Sequence, residues 1–375
     1  MKTGNGVPVV DLFAGAGGLA LGCDMAGGDV RVSVELCPKA CETIQLNFDH
    51  KVLNQDVREL DGKSLRREAK LTKSDPLVLV GGPPCQPFSK NAYWTDSGAD
   101  SKYRQARRRG EEAEKPKPIV KPRPDQRRSL LDEYLRLVEE SGADAFLFEN
   151  VPSILHPRNR KTFDSFCNDA TKLGFQLSHT TVVATDFGVA QKRKRVIVIG
   201  SKAGKIEIPE PTHCCEEDQQ DLFCRQRTPT AGEVIRPFRY KKYFEQQEVV
   251  TGRWADELRE IPPGSNYKAL TEWAGHPKPR FVAETRFWQF LLKLSPDRPS
   301  WTIAASPGTW TGPFHWDSRR LRTTELAALQ GFPKDYQFHG SRREKVRQIG
   351  NAVPPPLAQA VFSSISSAPC TKSEA

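Results

Sequence analysis

Short apolar runs that alternate with helical patterns narrow the fold of this chain more than any other feature. Residues 7–12, 30–34, 77–80, 145–148 and 196–200 are apolar runs of strand length. Residues 19–26, 38–47 and 130–140 carry helical patterns between them, the second with proline near its first turn. Strands that are apolar throughout bury both faces, so the first half predicts a parallel, Rossmann-like α/β sheet. Three unusual loops fall at the carboxyl ends of these runs: Asp11-Leu12-Phe13-Ala14-Gly15-Ala16-Gly17-Gly18, Gly81-Gly82-Pro83-Pro84-Cys85-Gln86-Pro87 and Glu149-Asn150-Val151. In an open parallel sheet that edge is where ligands and chemistry gather.

After about residue 200 the alternation fades, prolines become frequent, and six of the seven tryptophans follow. At 375 residues the chain has room for two domains, and this texture predicts a second, irregular one. Its tryptophans read as core before they read as ligand contacts. No apolar run approaches the roughly 18 residues that span a bilayer, and the N-terminus does not read as a secretory signal, so a cytoplasmic protein is expected. Nine scattered cysteines suit a reducing compartment better than a disulfide framework. His213, Cys214, Cys215 and Cys224 match no standard zinc spacing, and no metal is expected.

The net charge of +10 points to a polyanionic partner. Residues 102–128 hold eleven basic side chains against four acids. They read as a solvated, mobile insert, and 115–124 as extended chain without helix.

The glycine loop lets a ligand approach the backbone at a helix N-terminus, and Glu35 lies 20 residues past Gly15, the spacing of an acid that holds ribose hydroxyls. Gly15, Gly17 and Ala20 also loosely satisfy a dinucleotide pattern, so at this step a nicotinamide cofactor stays open. A lone cysteine is ordinarily a small buried hydrophobe. Prolines on both sides of Cys85, with glycines before them, are hard to explain by packing and would fix the backbone around one thiol. Glu149, directly after an apolar run, would be partly desolvated, which favours a protonated carboxyl. A salt-bridged strand-end glutamate is the plainer reading. Alternation places Gln191, Arg193 and Arg195 on one side of an entering strand, with lysines opposite. Arginines there can hold a phosphate, a carboxylate or the cysteine loop. Gln348 to Pro355 reads as a turn before a helix over 357–364, and Asn351 could offer an amide to a ligand.

Taken in order, these segments resemble the DNA cytosine-5 methyltransferase family, in its bacterial restriction-modification form. The resemblance rests on DLFAGAGG, Glu35, Asp56, PPCQPFS, ENV, the Q-x-R-x-R run, LQGFP and GNAVPP, which together span Asp11 to Pro355. It implies a cofactor-binding and catalytic domain over 1–200, completed by 344–375, and a target-recognition domain over 201–343. Phe13, Ala14, Gly15, Gly17, Gly18, Leu19, Glu35, Leu36, Asp56, Val57, Pro84, Asn351 and Ala352 would then line a pocket for S-adenosyl-L-methionine, released as S-adenosyl-L-homocysteine. Cys85 would be the nucleophile and Glu149 the acid at N3 and the amino group. Arg193 and Arg195, with Gln191 beside them, would hold the cysteine loop and the carbonyl of the base. Two features depart from the family pattern: the basic insert is extra, and Gln55 precedes Asp56 where glycine is common.

The implied chemistry explains these residue types. Carbon 5 of cytosine is a poor nucleophile until a thiolate adds at carbon 6, and a free thiol needs activation to do so; nearby arginines and loop amides would lower its pKa. The target atoms lie inside the duplex, so the base must be flipped out, and Ser89 and Lys90 would close over it. The expected partner is double-stranded DNA, with a cognate restriction endonuclease as a candidate and a monomer as the working form. An RNA cytosine-5 enzyme and a silent DNA-binding regulator are the competing readings.

Overall fold

The computed structural model describes residues 6–88, 99–108, 110–114, 125–215, 226–283 and 287–367. The apolar runs form β1 (Pro8–Leu12), β2 (Asp29–Val34), β4 (Val78–Gly81) and β5 (Ala145–Asn150), and a short β3 (Lys51–Leu53) joins them. All five pair in parallel. Helices α1 (Gly18–Met25), α2 (Pro38–Asn47), α3 (Gly62–Glu68), α4 (Ala99–Arg108), α5 (Leu130–Glu140) and α6 (Pro157–Lys172) lie between and after these strands. The basic insert is thus helical in part. Its stretch 115–124 and the Ser89-Lys90 segment lie outside the described residues.

Beyond β5 the sheet stops being parallel. After β6 (Gln176–Val183) and the two-residue β7 (Gln191–Lys192), β8 (Lys194–Ser201) inserts between β5 and β6, antiparallel to both, and the strand order is β3-β2-β1-β4-β5-β8-β6. The expected all-parallel sheet is therefore mixed. β6 carried no strand signal because its largely exposed pattern, that of an edge strand, lacks a continuous apolar run. The reversal has a chemical consequence: β8 starts at the rim where β5 ends, and Asn150 pairs with Val196 in the ladder.

One face of the sheet packs α3, α5 and α6 around Tyr134, Phe146, Phe148 and Phe166. The other packs α1 against the C-terminal α11 (Pro355–Ser366), with Leu19, Cys23, Leu357, Val361 and Phe362 buried between them. The end of the chain thereby completes the layer that its start begins.

Residues after 201 hold few regular elements. β9 (His213–Cys214) pairs with β10 (Gln226–Arg227), and β11 (Ser300–Trp301) adds to β7 in parallel. Short helices α7 (Ala231–Ile235) and α8 (Ala255–Glu260) precede α9 (Thr323–Leu329) and α10 (Arg342–Asn351). The segment expected to be a turn from Gln348 is the last turn of α10. Cys214 is disulfide-bonded, while Cys23, Cys37, Cys41, Cys85, Cys167 and Cys215 are free thiols. Trp254 and Trp310 pack on a cluster of Tyr267, Phe281 and Phe290, whereas Trp273, Trp288 and Trp301 are exposed. The tryptophans are thus divided between core and surface.

Candidate active site

The order of the sheet reverses at β1, flanked by β2 on one side and β4 on the other, and a crevice opens at such a switch point. A cavity of about 450 Å³ lies there, within the range of small-molecule sites. After β1 the chain turns at Phe13, whose φ of 58° is left-handed, a strained backbone of the kind that concentrates at functional sites. Ala14 N donates to Val34 O (3.1 Å), tying the loop to β2. Glu35 then accepts from Gly15 N (2.8 Å) with one oxygen and from Cys37 N (2.7 Å) with the other. Its carboxylate is aimed by backbone amides at the cavity wall.

Phe13, Ala14, Gly15, Leu19, Glu35, Leu36, Asp56, Val57, Pro84, Asn351 and Ala352 all line this cavity, as expected of a cofactor pocket. Gly17 and Gly18 do not. Gly17 (φ 75°) starts α1, and a Cβ there would meet Tyr336 Oη at 2.8 Å; a Cβ on Gly18 would lie 2.3 Å from Val353 O. At both glycines a side chain would collide with the C-terminal segments. At Gly15 a Cβ would meet nothing within 4 Å, so the space beside that backbone is free.

Cys85, Glu149 and Arg195 line the same cavity. Asn150, buried at the end of β5, donates its amide to Pro83 O (3.2 Å), and Arg128 donates to Pro87 O (2.8 Å) on the other side of the loop. The cysteine loop is therefore held by Asn150 and Arg128. Glu149 is buried and ion-paired, Arg195 Nε lying 2.5 Å from its Oε1, though no N–H points along that contact. Both sequence readings of Glu149, buried acid and salt-bridge partner, describe the same side chain.

Arg193 and Gln191 take other places. Arg193, wholly buried, donates to Gly350 O (2.9 Å) and so fastens the end of α10. Burial, with the neighbouring Arg195 charge, pulls it down to about 9, which leaves it cationic at neutral pH. Gln191 donates to Gln330 Oε1 (2.6 Å) and accepts from Ile303 N (3.1 Å), while Gln330 donates to Ala352 O. Alternation had correctly put Gln191, Arg193 and Arg195 on one side, but only Arg195 lines the cavity, because the end of α10 covers Arg193 and the end of α9 with Ile303 covers Gln191. The thiol of Cys85 is pushed up by burial, against the pull of Arg195 and Arg193 and with Glu149 adding to the rise. The expected lowering is reversed because the cavity withholds water from the thiolate.

Residues without a sequence signal also line the cavity, among them Cys37, Arg58, Arg127, Arg347 and Gln348. Gln348 accepts from Thr43 Oγ1 (2.6 Å) and joins α10 to α2. Asp11 stood in a motif with no assigned role. It is fully buried on the cavity wall, and neither oxygen accepts a hydrogen bond of good geometry. Desolvation drives its carboxyl well above the ordinary range, outweighing the Ala20 amide, and the charge of Glu35 adds to the rise. An orphaned acid beside open glycine backbone suits a ligand bearing an ammonium group, as S-adenosylmethionine does.

A doubly wound sheet with such a pocket at its switch point is the architecture of a cofactor-binding α/β enzyme. Comparison places it more narrowly. The chain belongs to the C-5 cytosine-specific DNA methylases, whose family model matches residues 7–106 and 121–367. It is 34% identical to the type II methyltransferase M.SacI of Streptomyces achromogenes, over 95% of this chain and 91% of that protein. Identity to the type II methyltransferase M1.HphI of Haemophilus parahaemolyticus is 31%, over 95% and 86%. In fold it matches a DNA modification methyltransferase encoded within an E. coli prophage (TM-score 0.67, 21% identity, 96% and 98% covered). The Entamoeba histolytica methyltransferase EhMeth is a further match (TM-score 0.60, 13% identity, 96% and 98% covered). The protein is accordingly an S-adenosylmethionine-dependent enzyme that methylates carbon 5 of cytosine in DNA.

Proposed function

We propose that Cys85 is the covalent nucleophile of this reaction, with Glu149 and Arg195 as its partners on a flipped cytosine. One observation carries the reading: the thiol, the Glu149–Arg195 pair and the glycine loop open onto a single cavity. The bound cofactor supplies an electrophilic methyl group on its sulfonium. Phe13, Gly15, Glu35, Leu36, Asp56, Val57, Pro84, Asn351 and Ala352 would hold it, with Asp11 facing its ammonium.

Cys85 loses its proton and its sulfur adds to carbon 6, and the electrons of the 5,6 double bond become available at carbon 5. Glu149 stabilises the charge that builds at N3 and the amino group, where it acts more on the transition state than on the ground state. Arg195 orients Glu149 and draws the thiolate toward the ring. After methylation solvent water takes the carbon 5 proton, the C–H electrons reform the 5,6 double bond, and the C6–S bond breaks to release Cys85 as thiolate. Desolvation raises the half-buried Cys85 thiol, so ionisation and attack are coupled.

Residues 1–200 with 344–375 form the catalytic domain in this reading, and 201–343 reads the target sequence from base edges. The substrate is double-stranded DNA, the enzyme works as a cytoplasmic, nucleoid-associated monomer without a metal, and S-adenosylhomocysteine is its product. The type II relatives support the modification half of a restriction-modification system, with a cognate endonuclease as partner. Bisulfite sequencing of host DNA after expression reports activity and target site together. Protected cytosines should appear with the wild type and vanish with Cys85→Ser; identical patterns from the two would overturn the assignment.

A further inference from the structure

The surface next to the catalytic strand carries two exposed tryptophans that nothing in the methyl transfer uses. Trp288 is 49% and Trp301 38% exposed. Their rings meet edge to face with centroids 5.5 Å apart. Lys192 Nζ stands 5.8 Å from the Trp301 ring centre, and Lys194, two residues on, is exposed. Large apolar side chains left in water beside cations are unusual on a surface without a partner.

Their place in the fold says what that partner is. β11 pairs with β7 so that Trp301 sits opposite Lys192, and three residues further along the same chain Arg195 lines the active cavity. Three residues of extended chain span about 10 Å, and paired strands lie about 4.8 Å apart. Trp301 is therefore anchored within about 15 Å of Arg195, which is about four base steps at roughly 3.4 Å each along a strand. Lys192, Lys194 and Trp301 lie on the side of the strand opposite Arg195, so a DNA strand running out from a cytosine in the cavity would meet the patch by crossing the edge of β7, a distance within its reach. Aromatic faces accept unstacked bases or sugars, and lysines accept phosphates. Thr302 Oγ1 donates to Lys192 O (2.8 Å) and Ser300 is buried beneath, so the patch rests on a fixed backbone.

We propose that Trp288 and Trp301, with Lys192 and Lys194, hold the DNA strand flanking the flipped cytosine. The proposal deepens the functional reading above and rests on it.

The test uses the full-length enzyme, tritiated S-adenosylmethionine and genomic DNA from a methylation-deficient host. Trp301→Ala and Trp288→Ala should each raise KM for DNA about ten-fold, with kcat and the KM for cofactor unchanged. Trp301→Phe should recover most of the loss. Lys192→Ala should lower the salt dependence of DNA binding by about one ion, and neither tryptophan variant should change it. An unchanged KM for DNA in both alanine variants overturns the proposal. So does an equal loss of cofactor affinity, which would mark the tryptophans as structural, and so does a loss of self-association with DNA affinity intact, which would mark the patch as a contact between copies. A wild type that transfers no methyl group would instead refute the functional reading itself.

Discussion

The rim of the large sheet and the region between β8 and α9 position their side chains by opposite means. At the rim, Glu149 and Arg195 stand on buried, paired strands whose register brings them together, and Cys85 sits in the loop after β4 that Asn150 and Arg128 hold. Beyond β8 the ladders are two residues long. Order there comes from a small aromatic cluster around Tyr267, Phe281 and Phe290 and from buried ion pairs of Arg322 with Glu248 and Arg319 with Glu325. A site built on strand ends tolerates change in its neighbours. A surface built on side-chain packing changes with them, which suits a part of the enzyme that must differ between target sequences.

The contrast breaks most sharply at Cys85. Cys85→Ser should lower methyl transfer about ten-thousand-fold or more and leave S-adenosylhomocysteine affinity and melting temperature unchanged; a residual rate near wild type would remove the thiol from the mechanism. Next, Arg322→Ala leaves buried Glu248 without its hydrogen-bonded charge partner, with only Arg319 Nη1 remaining at 3.8 Å, a loss of up to about 3–5 kcal/mol. Denaturant melts should show that loss beyond β8, with DNA affinity falling ahead of cofactor affinity. If both affinities fall together, the two regions are one cooperative unit.

A smaller effect concerns pH. Burial holds the Cys85 thiol above its ordinary range, and the reactive form is the thiolate. Its alkylation by iodoacetamide in the free enzyme should therefore rise about ten-fold per pH unit over roughly pH 7 to 9. A rate already at plateau at neutral pH would show that the arginines outweigh desolvation. The smallest effect belongs to Trp273, 78% exposed and outside the proposed DNA path. Trp273→Ala should shift stability by no more than about 0.5 kcal/mol and leave KM for DNA unchanged. A large change in that KM would extend the DNA surface across the whole region.

Much of the site was legible because its signals are local. A glycine loop after an apolar run, an acid 20 residues on and a proline-fixed cysteine each announce themselves within a few residues. Gln191 and Arg193 show where such reading stops. Alternation gave their side correctly, but Gly350, Gln330 and Ala352 lie far along the chain, and only their arrival turns that side into a buried clamp. Gly17 and Gly18 fail in the same way, since close approach by Tyr336 and Val353 cannot be seen from a glycine run. The edge strand β6 lacks a continuous apolar run, and the high charge of the basic insert hid the helix within it.

The sequence by itself determined the α/β layer, the rim that carries the chemistry and the family, because apolar runs and short motifs act over a few residues. Only the tertiary structure decided that β8 runs backwards to set Arg195 against Glu149, that desolvation raises the Cys85 thiol and that Trp288 and Trp301 share one exposed surface. Each of these depends on groups distant in the chain meeting in space, where packing, charge and the exclusion of water act together.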